Sequence, residues 1–199
     1  MIIVGLTGSI GMGKTTTAKM FERLGAFVFD ADAAVHALYD KGGAAVPLIR
    51  AVFPDAVKDG AVDRTVLSRH MQADPLNIKV LESFIHPMVV DARRQAMTQA
   101  QQEGRQVFIA DVPLLFETGG HEQVDKIIVV SAPKHIQRQR VLARPDMSAD
   151  KFAYILSQQM PDQLKRQQAD FIIETGDGLD KAREQVQSVM DQLLKEAES

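Results

Sequence analysis

The sequence predicts an α/β protein with a three-layer core built on a parallel sheet of five strands. Five short apolar runs, rich in β-branched residues, alternate with longer helical stretches, which is typical of such a core. Most of the runs are continuous rather than alternating, as expected for strands that are buried on both faces. The gap between the second and third runs is too long for a single crossover, so a helical insertion is predicted there.

The strands are predicted from the apolar runs, at Ile2–Leu6, Phe27–Phe29, Val107–Ile109, Lys126–Val130 and Phe171–Ile173. Helices are predicted from the stretches between them, at Lys14–Leu24, at several places from Ala33 to Glu103, and at Lys134–Arg144, Asp150–Gln168 and Leu179–Glu196. The insertion is predicted at residues 33–90 and a smaller excursion at residues 138–162. Residues 1–32, 91–137 and 163–199 then form the core.

Composition limits the class of protein. The chain has 199 residues, a hydrophobic fraction of 45% and a formal net charge of −3, which is ordinary for a globular protein and argues against one that coats nucleic acid. Because there is no cysteine, disulfides and thiolate metal sites are excluded. The apolar start is interrupted at Gly5 and no other stretch could span a bilayer, so a cytoplasmic protein with no signal peptide and no membrane partner is expected.

A glycine-rich stretch after the first predicted strand carries the most specific motif. Residues 8–15, GSIGMGKT, match the phosphate-binding loop (P-loop) pattern G-x-x-x-x-G-K-[ST]. Glycine permits the backbone angles that turn successive N–H groups towards a phosphate at a helix N-terminus. Lys14 is expected to reach the β- and γ-phosphates of a nucleoside triphosphate, and the Thr15 hydroxyl to bind Mg²⁺. The predicted nucleotide-binding residues of this loop are Gly8, Gly11, Met12, Gly13, Lys14, Thr15 and Thr16.

Carboxylates follow two of the predicted strands. Asp30 and Asp32 follow the second strand, at the strand end where parallel sheets place their ligand sites. Asp32 is the candidate for accepting a proton from an attacking hydroxyl, whereas a helix cap and a functional role both stay open for Asp30. Asp111 ends the strand that starts at Val107, where an acid can bind Mg²⁺, although a turn residue is the alternative.

Arginines cluster after the fourth predicted strand, at positions 138, 140 and 144. Arg140 and Arg144 are four residues apart, so they share one helix face and can converge on one anion. Phosphoryl transfer needs cations over the transferring group, which favours nucleotide binding by this cluster over a solvated surface. Arg144 is therefore a further candidate for nucleotide binding.

These motifs occur in an order that resembles the dephospho-CoA kinase family, over nearly the whole chain. The matching segments are GLTGSIGMGKTT (Gly5–Thr16), DAD (Asp30–Asp32), DR (Asp63–Arg64), IHP (Ile85–Pro87), DVPLLFE (Asp111–Glu117), QRQRVLAR (Gln137–Arg144), QMPDQLKR (Gln159–Arg166) and ADFIIETG (Ala169–Gly176). Many unrelated proteins share the P-loop alone. The P-loop followed by DAD, HP and PLLFE is much more specific.

The resemblance implies ATP-dependent phosphorylation of the ribose 3′-hydroxyl of dephospho-CoA, the last step of coenzyme A synthesis. It also implies a nucleoside-monophosphate-kinase-like fold in which the insertion binds the acceptor and the excursion forms a lid. By position, Asp32 is the general base, Lys14 and Arg140 act on the transferring phosphates, and Arg64 and His86 belong to the acceptor site. The implied cofactors are ATP and Mg²⁺, and a monomer or weak homo-oligomer is expected.

Two positions depart from the family pattern. Thr175 stands where many members carry asparagine, and an extra residue after Pro133 leaves open whether Arg138 or Arg140 is the main lid cation. The main alternative is a P-loop kinase for another small acceptor. A GTPase-type switch is disfavoured, because the only asparagine, Asn77, is not part of an N-K-x-D motif. The residues alone do not separate ATP from GTP.

Overall fold

The computed structural model describes residues 1–198 and contains seven strands, at Ile2–Thr7 (β1), Phe27–Asp30 (β2), Val57–Lys58 (β3), Ala61–Val62 (β4), Val107–Asp111 (β5), Lys126–Ser131 (β6) and Phe171–Glu174 (β7). Five of them form a parallel sheet in the order β2-β5-β1-β6-β7, which confirms the predicted fold class. Each sheet strand continues past its apolar run and ends on a polar residue: Thr7, Asp30, Asp111, Ser131 and Glu174. The carboxyl edge of the sheet is therefore polar, as a ligand site requires.

Nine α-helices lie within the described residues, at Lys14–Arg23 (α1), Ala31–Tyr39 (α2), Val46–Val52 (α3), Arg64–Ala73 (α4), Leu76–Gln102 (α5), Lys134–Leu142 (α6), Ala149–Ser157 (α7), Asp162–Gln167 (α8) and Leu179–Ala197 (α9). The single helical stretch predicted at 150–168 is wrong in one respect, because it is divided into α7 and α8. Pro161 stands at the break with ψ of 136°, since its ring clashes with a continuing helix. Among residues 1–198, no helix is long and apolar enough to cross a membrane.

Contacts divide the chain into two compact units, Met1–Phe29 with the chain from Ala100 onward, and Asp30–Gln99. The core of the first unit contains fully buried strand residues such as Val4 and Ile128, packed with Phe21 of α1 and Leu193 of α9. These helices present one apolar face to the sheet, which is what holds the P-loop between β1 and α1 in place.

The second unit has its own small apolar core, which includes Ile49, Phe53 and Leu67. It was predicted to be helical, but it also contains the β3–β4 hairpin. Asp59 and Gly60 form the turn of this hairpin with φ of 52° and 82°. Positive φ at both central residues is the geometry that favours an Asp-Gly turn between two short strands.

Candidate active site

The P-loop connects β1 to α1 and depends on glycine at three positions. Gly11 and Gly13 have φ of 81° and 98°, which a residue with a side chain rarely adopts. At Gly8, a Cβ atom would lie 2.5 Å from the carbonyl oxygen of Val130. No side chain in the described part of the molecule caps α1 at Gly13, so the N–H groups of its first turn are available to an anion.

Lys14 and Asp111 form an ion pair at the carboxyl edge of the sheet. The parallel register places Leu6 of β1 opposite Asp111 of β5, so the loop that follows β1 starts beside this carboxylate. Asp111 is only 3% exposed, whereas Thr15, the next residue of α1, is exposed. The structure therefore brings Lys14, predicted for phosphate binding, into contact with Asp111, one of the two residues predicted for Mg²⁺.

Arg140 is held against Thr175 by two hydrogen bonds. Its Nη1 donates to the Thr175 hydroxyl at 2.9 Å, and its Nη2 donates to the Thr175 carbonyl at 2.7 Å. The same hydroxyl donates to the carbonyl of Met12 in the P-loop at 2.6 Å. Thr175 is buried, so it connects the arginine of α6 rigidly to the loop backbone.

A cavity of about 270 Å³ lies next to these groups, lined by Gly11, Gly13, Thr16, Thr17, Met20, Arg140, Arg144, Thr175, Gly178, Leu179 and Ala182. Arg140 and Arg144 share it with P-loop glycines, although α6 ends at Leu142, so that Arg144 lies just beyond the helix and not on a common helix face as predicted. Arg138 instead lines a second cavity, of about 820 Å³, together with Phe152 and Met160. Ser9 and Met12 of the P-loop also line this second cavity, so both candidate lid cations lie near the nucleotide-binding loop, and only Arg140 is joined to it through the hydrogen bonds of Thr175.

The second unit carries the carboxylates of the DAD segment at the start of α2. Asp30 is the N-cap of this helix, and its Oδ1 accepts a hydrogen bond from the Ala33 N–H at 2.9 Å. Asp32 is exposed in the first turn, and no hydrogen bond to its side chain occurs among residues 1–198. The helix cap is therefore Asp30 and not Asp32.

Arg64 and His86 are also exposed in the second unit. Arg64 begins α4, whose N-cap Asp63 accepts two backbone N–H groups. Burial raises the pKa of Tyr39, and the positive charge of Arg64 partly opposes this increase. His86 lies on α5 directly before Pro87, and its exposure excludes the role of a packing histidine inside a core.

The sequence analysis missed an ion pair between Glu117 and Lys165. Lys165 is fully buried, and its Nζ lies 2.9 Å from Glu117 Oε1 and donates to the Pro113 carbonyl at 3.3 Å. Burial alone would raise the pKa of Glu117, but hydrogen bonds from Lys165 and from the Met160 N–H hold it below its ordinary value. The signal was present in the segments DVPLLFE and QMPDQLKR, which contain these residues, but their contact is not visible in sequence.

A P-loop after the first strand of a parallel sheet in this order defines the class of P-loop nucleotide-binding proteins. The family model for dephospho-CoA kinase matches residues 2–181. A dephospho-CoA kinase of Mesorhizobium japonicum is 51% identical over 193 residues, which make up 97% of this chain and 97% of the relative. The chain belongs to the dephospho-CoA kinase family, and the protein is therefore an enzyme of the kinase class.

Solved structures agree with this fold. A crystal structure of a protein from Thermus thermophilus has a TM-score of 0.82 and 32% identity, and the match covers 96% of this chain and 97% of the other. A dephospho-CoA kinase from Campylobacter jejuni has a TM-score of 0.67 and 24% identity, with 97% of each chain covered. The second structure is too distant in sequence to support more than the shared fold.

Proposed function

We propose that this chain transfers the γ-phosphoryl group of ATP to the ribose 3′-hydroxyl of dephospho-CoA, giving coenzyme A and ADP. The observation that carries the proposal is the P-loop with Lys14 beside Asp111, in a chain of the dephospho-CoA kinase family. The bond from the 3′-oxygen to phosphorus forms, the bond from phosphorus to the β-phosphate oxygen breaks, and the hydroxyl proton leaves to a base.

On the donor side, the P-loop is proposed to bind the phosphates. The first-turn N–H groups of α1 and the Lys14 ammonium meet the β- and γ-phosphates, where negative charge shifts during transfer. Arg140 and Arg144 extend the positive surface along the 270 Å³ cavity, which we assign to the nucleoside. Guanidinium groups suit this position because they remain charged and offer several N–H donors to phosphate oxygens.

On the acceptor side, Asp32 is proposed as the base that takes the 3′-hydroxyl proton. The support is its exposed carboxylate, which neither caps α2 nor pairs with another side chain in residues 1–198. Arg64 and His86 are proposed to bind the acceptor, and both are exposed. An arginine can pair with the phosphate groups of a nucleotide-like acceptor through two parallel hydrogen bonds.

Asp111 and Thr15 are proposed to hold Mg²⁺. Their carboxylate and hydroxyl oxygens are the hard donors that this ion prefers, and the remaining positions are usually filled by water and substrate phosphates. When bound, Mg²⁺ supplies charge neutralisation at the β- and γ-phosphate oxygens.

The proposed partners are the two small-molecule substrates alone, with no nucleic acid and no membrane. The net charge of −3 supports this, because nucleic-acid and anionic-membrane surfaces attract basic proteins. We further propose that the protein works in the cytoplasm, as a monomer or weak homo-oligomer.

The test is a coupled assay of ADP release with ATP and Mg²⁺ and a panel of acceptors. The panel contains dephospho-CoA, shikimate, adenosine and AMP, with coenzyme A as the matched control because its 3′-oxygen already carries a phosphate. We expect release only with dephospho-CoA, and a product whose mass equals that of coenzyme A. Equal ADP release with coenzyme A, or faster release with another acceptor, would overturn the proposal.

A further inference from the structure

Both backbone polar groups of Ile10, in the middle of the P-loop, are held by glutamine side chains. The Ile10 N–H donates to Gln159 Oε1 at 3.0 Å, and Gln137 Nε2 donates to the Ile10 carbonyl at 2.8 Å. Gln137 lies on α6 and is 5% exposed, and Gln159 lies between α7 and α8. Two side chains from different parts of the chain therefore hydrogen-bond to the backbone of one loop residue.

These two hydrogen bonds orient the neighbouring peptide units. In a trans peptide the C=O and the next N–H point in opposite directions, so the bond from Gln137 to the Ile10 carbonyl turns the Gly11 N–H to the other side. No acceptor for the Gly11 N–H is found among residues 1–198. On the other flank, the Ser9 carbonyl accepts the Met12 N–H at 3.1 Å while the Ile10 N–H is held by Gln159. The two glutamines therefore leave the Gly11 N–H available to a ligand, in addition to the N–H groups of the first turn of α1.

The backbone next to Gln159 is held by the ion pair of Glu117 and Lys165. The N–H of the next residue, Met160, donates to Glu117 Oε1 at 2.6 Å. The same oxygen lies 2.9 Å from Nζ of the fully buried Lys165. Because this carboxylate is anchored, the backbone at Gln159 cannot drift, and its side chain keeps a defined position against Ile10.

We propose that Gln137 and Gln159 form a clamp that positions the P-loop for the phosphates of ATP. Neither residue needs to touch the nucleotide, so both are positioning residues rather than catalytic ones. The QRQRVLAR and QMPDQLKR segments each begin with one of these two glutamines. The inference rests on the proposed function in so far as ATP is the phosphate donor.

The test uses three variants of the full chain. Gln159→Met and Gln137→Met each remove one hydrogen bond without adding charge, and Gln158→Met is the matched control because it changes an exposed glutamine one position away. The first measurement is hydrogen exchange of the Ile10 amide by NMR, without substrates. The second is the KM for ATP and, separately, the KM for dephospho-CoA.

Exchange of the Ile10 amide is expected to accelerate in Gln159→Met and to stay slow in Gln137→Met and Gln158→Met. Gln159→Glu keeps the acceptor and should keep slow exchange, which also provides a second variant if Gln159→Met does not fold. The KM for ATP is expected to rise about fivefold in each clamp variant, the effect of one lost hydrogen bond, with the KM for dephospho-CoA unchanged.

The clamp would be overturned by equal Ile10 exchange in Gln159→Met and the wild-type chain. It would equally be overturned if the KM for ATP in Gln159→Met and Gln137→Met matched that of Gln158→Met. Failure of the proposed function looks different, because the wild-type chain would then release no ADP with dephospho-CoA while the exchange results would be unaffected.

Discussion

Replacing Lys165 by methionine should destabilise the protein strongly, although the residue is far from the predicted catalytic groups in sequence. Its side chain is fully buried and binds Glu117 and the Pro113 carbonyl. Removing one partner of a buried ion pair leaves the other charge uncompensated, which costs about 3–5 kcal/mol. Glu117 is 18% exposed and keeps the Met160 N–H at 2.6 Å, so we expect the lower end, about 3 kcal/mol.

Urea unfolding followed by circular dichroism measures this difference. With an m-value of about 2 kcal/mol per molar urea, the midpoint should fall by about 1.5 M. The matched control is Lys181→Met, because Lys181 is an exposed lysine whose ion pair with Asp177 spans 3.8 Å on the surface. That control should shift the midpoint by about 0.25 M or less, since exposed pairs contribute about 0.5 kcal/mol.

Adding Glu117→Gln to Lys165→Met should restore part of the loss, because it removes the charge that the first change leaves behind. Equal midpoints for Lys165→Met and Lys181→Met would refute the reasoning. The burial of the lysine would then contribute nothing that a surface lysine does not.

Three further outcomes are expected. Lys14→Ala should reduce phosphoryl transfer on the order of a thousandfold in a steady-state assay, whereas the exposed Lys19→Ala on the same helix should leave it unchanged. Asp32→Asn should lower kcat by about a hundred- to ten-thousandfold and leave the KM for ATP unchanged. The melting temperature should also stay the same, because Asp30 provides the helix cap. A lower melting temperature with a normal kcat would contradict this role of Asp32. Because the pKa of Glu117 is lowered in the folded protein, its negative charge stabilises the fold at pH values above the ordinary glutamate pKa. This contribution is lost as the pH falls through the lower pKa of the folded state. The unfolding free energies of the wild-type chain and Glu117→Gln, measured by urea unfolding, should therefore converge in acid.

The donor side of the site could be predicted from the sequence because its signals are local. The P-loop is a contiguous motif, and its helix follows directly at Lys14. Asp111 is 97 residues away from Lys14, yet its position followed from one topological rule, that parallel strands end at the same edge of a sheet. The register of Leu6 opposite Asp111 confirms the strand alignment on which that expectation depended.

The β3–β4 hairpin could have been predicted but was not. Asp59-Gly60 is flanked by two valines at Val57 and Val62, and this pattern is a strong short-range signal for a hairpin. The strands are only two residues long, which is too short to show an alternating apolar pattern within a region of helical periodicity. The local turn chemistry, not the hydrophobic pattern, carried the information here.

The contacts of Thr175 could not be predicted, because they depend on groups 35 and 163 residues away. The sequence showed only that an asparagine was missing. In the structure, the single hydroxyl proton of Thr175 is donated to the Met12 carbonyl, and the hydroxyl oxygen accepts from Arg140. A hydroxyl has one proton and two lone pairs, so towards the neighbouring cavity this side chain can act only as an acceptor. An asparagine amide would offer donors as well. In this chain Thr175 therefore joins Arg140 to the P-loop through its hydroxyl group.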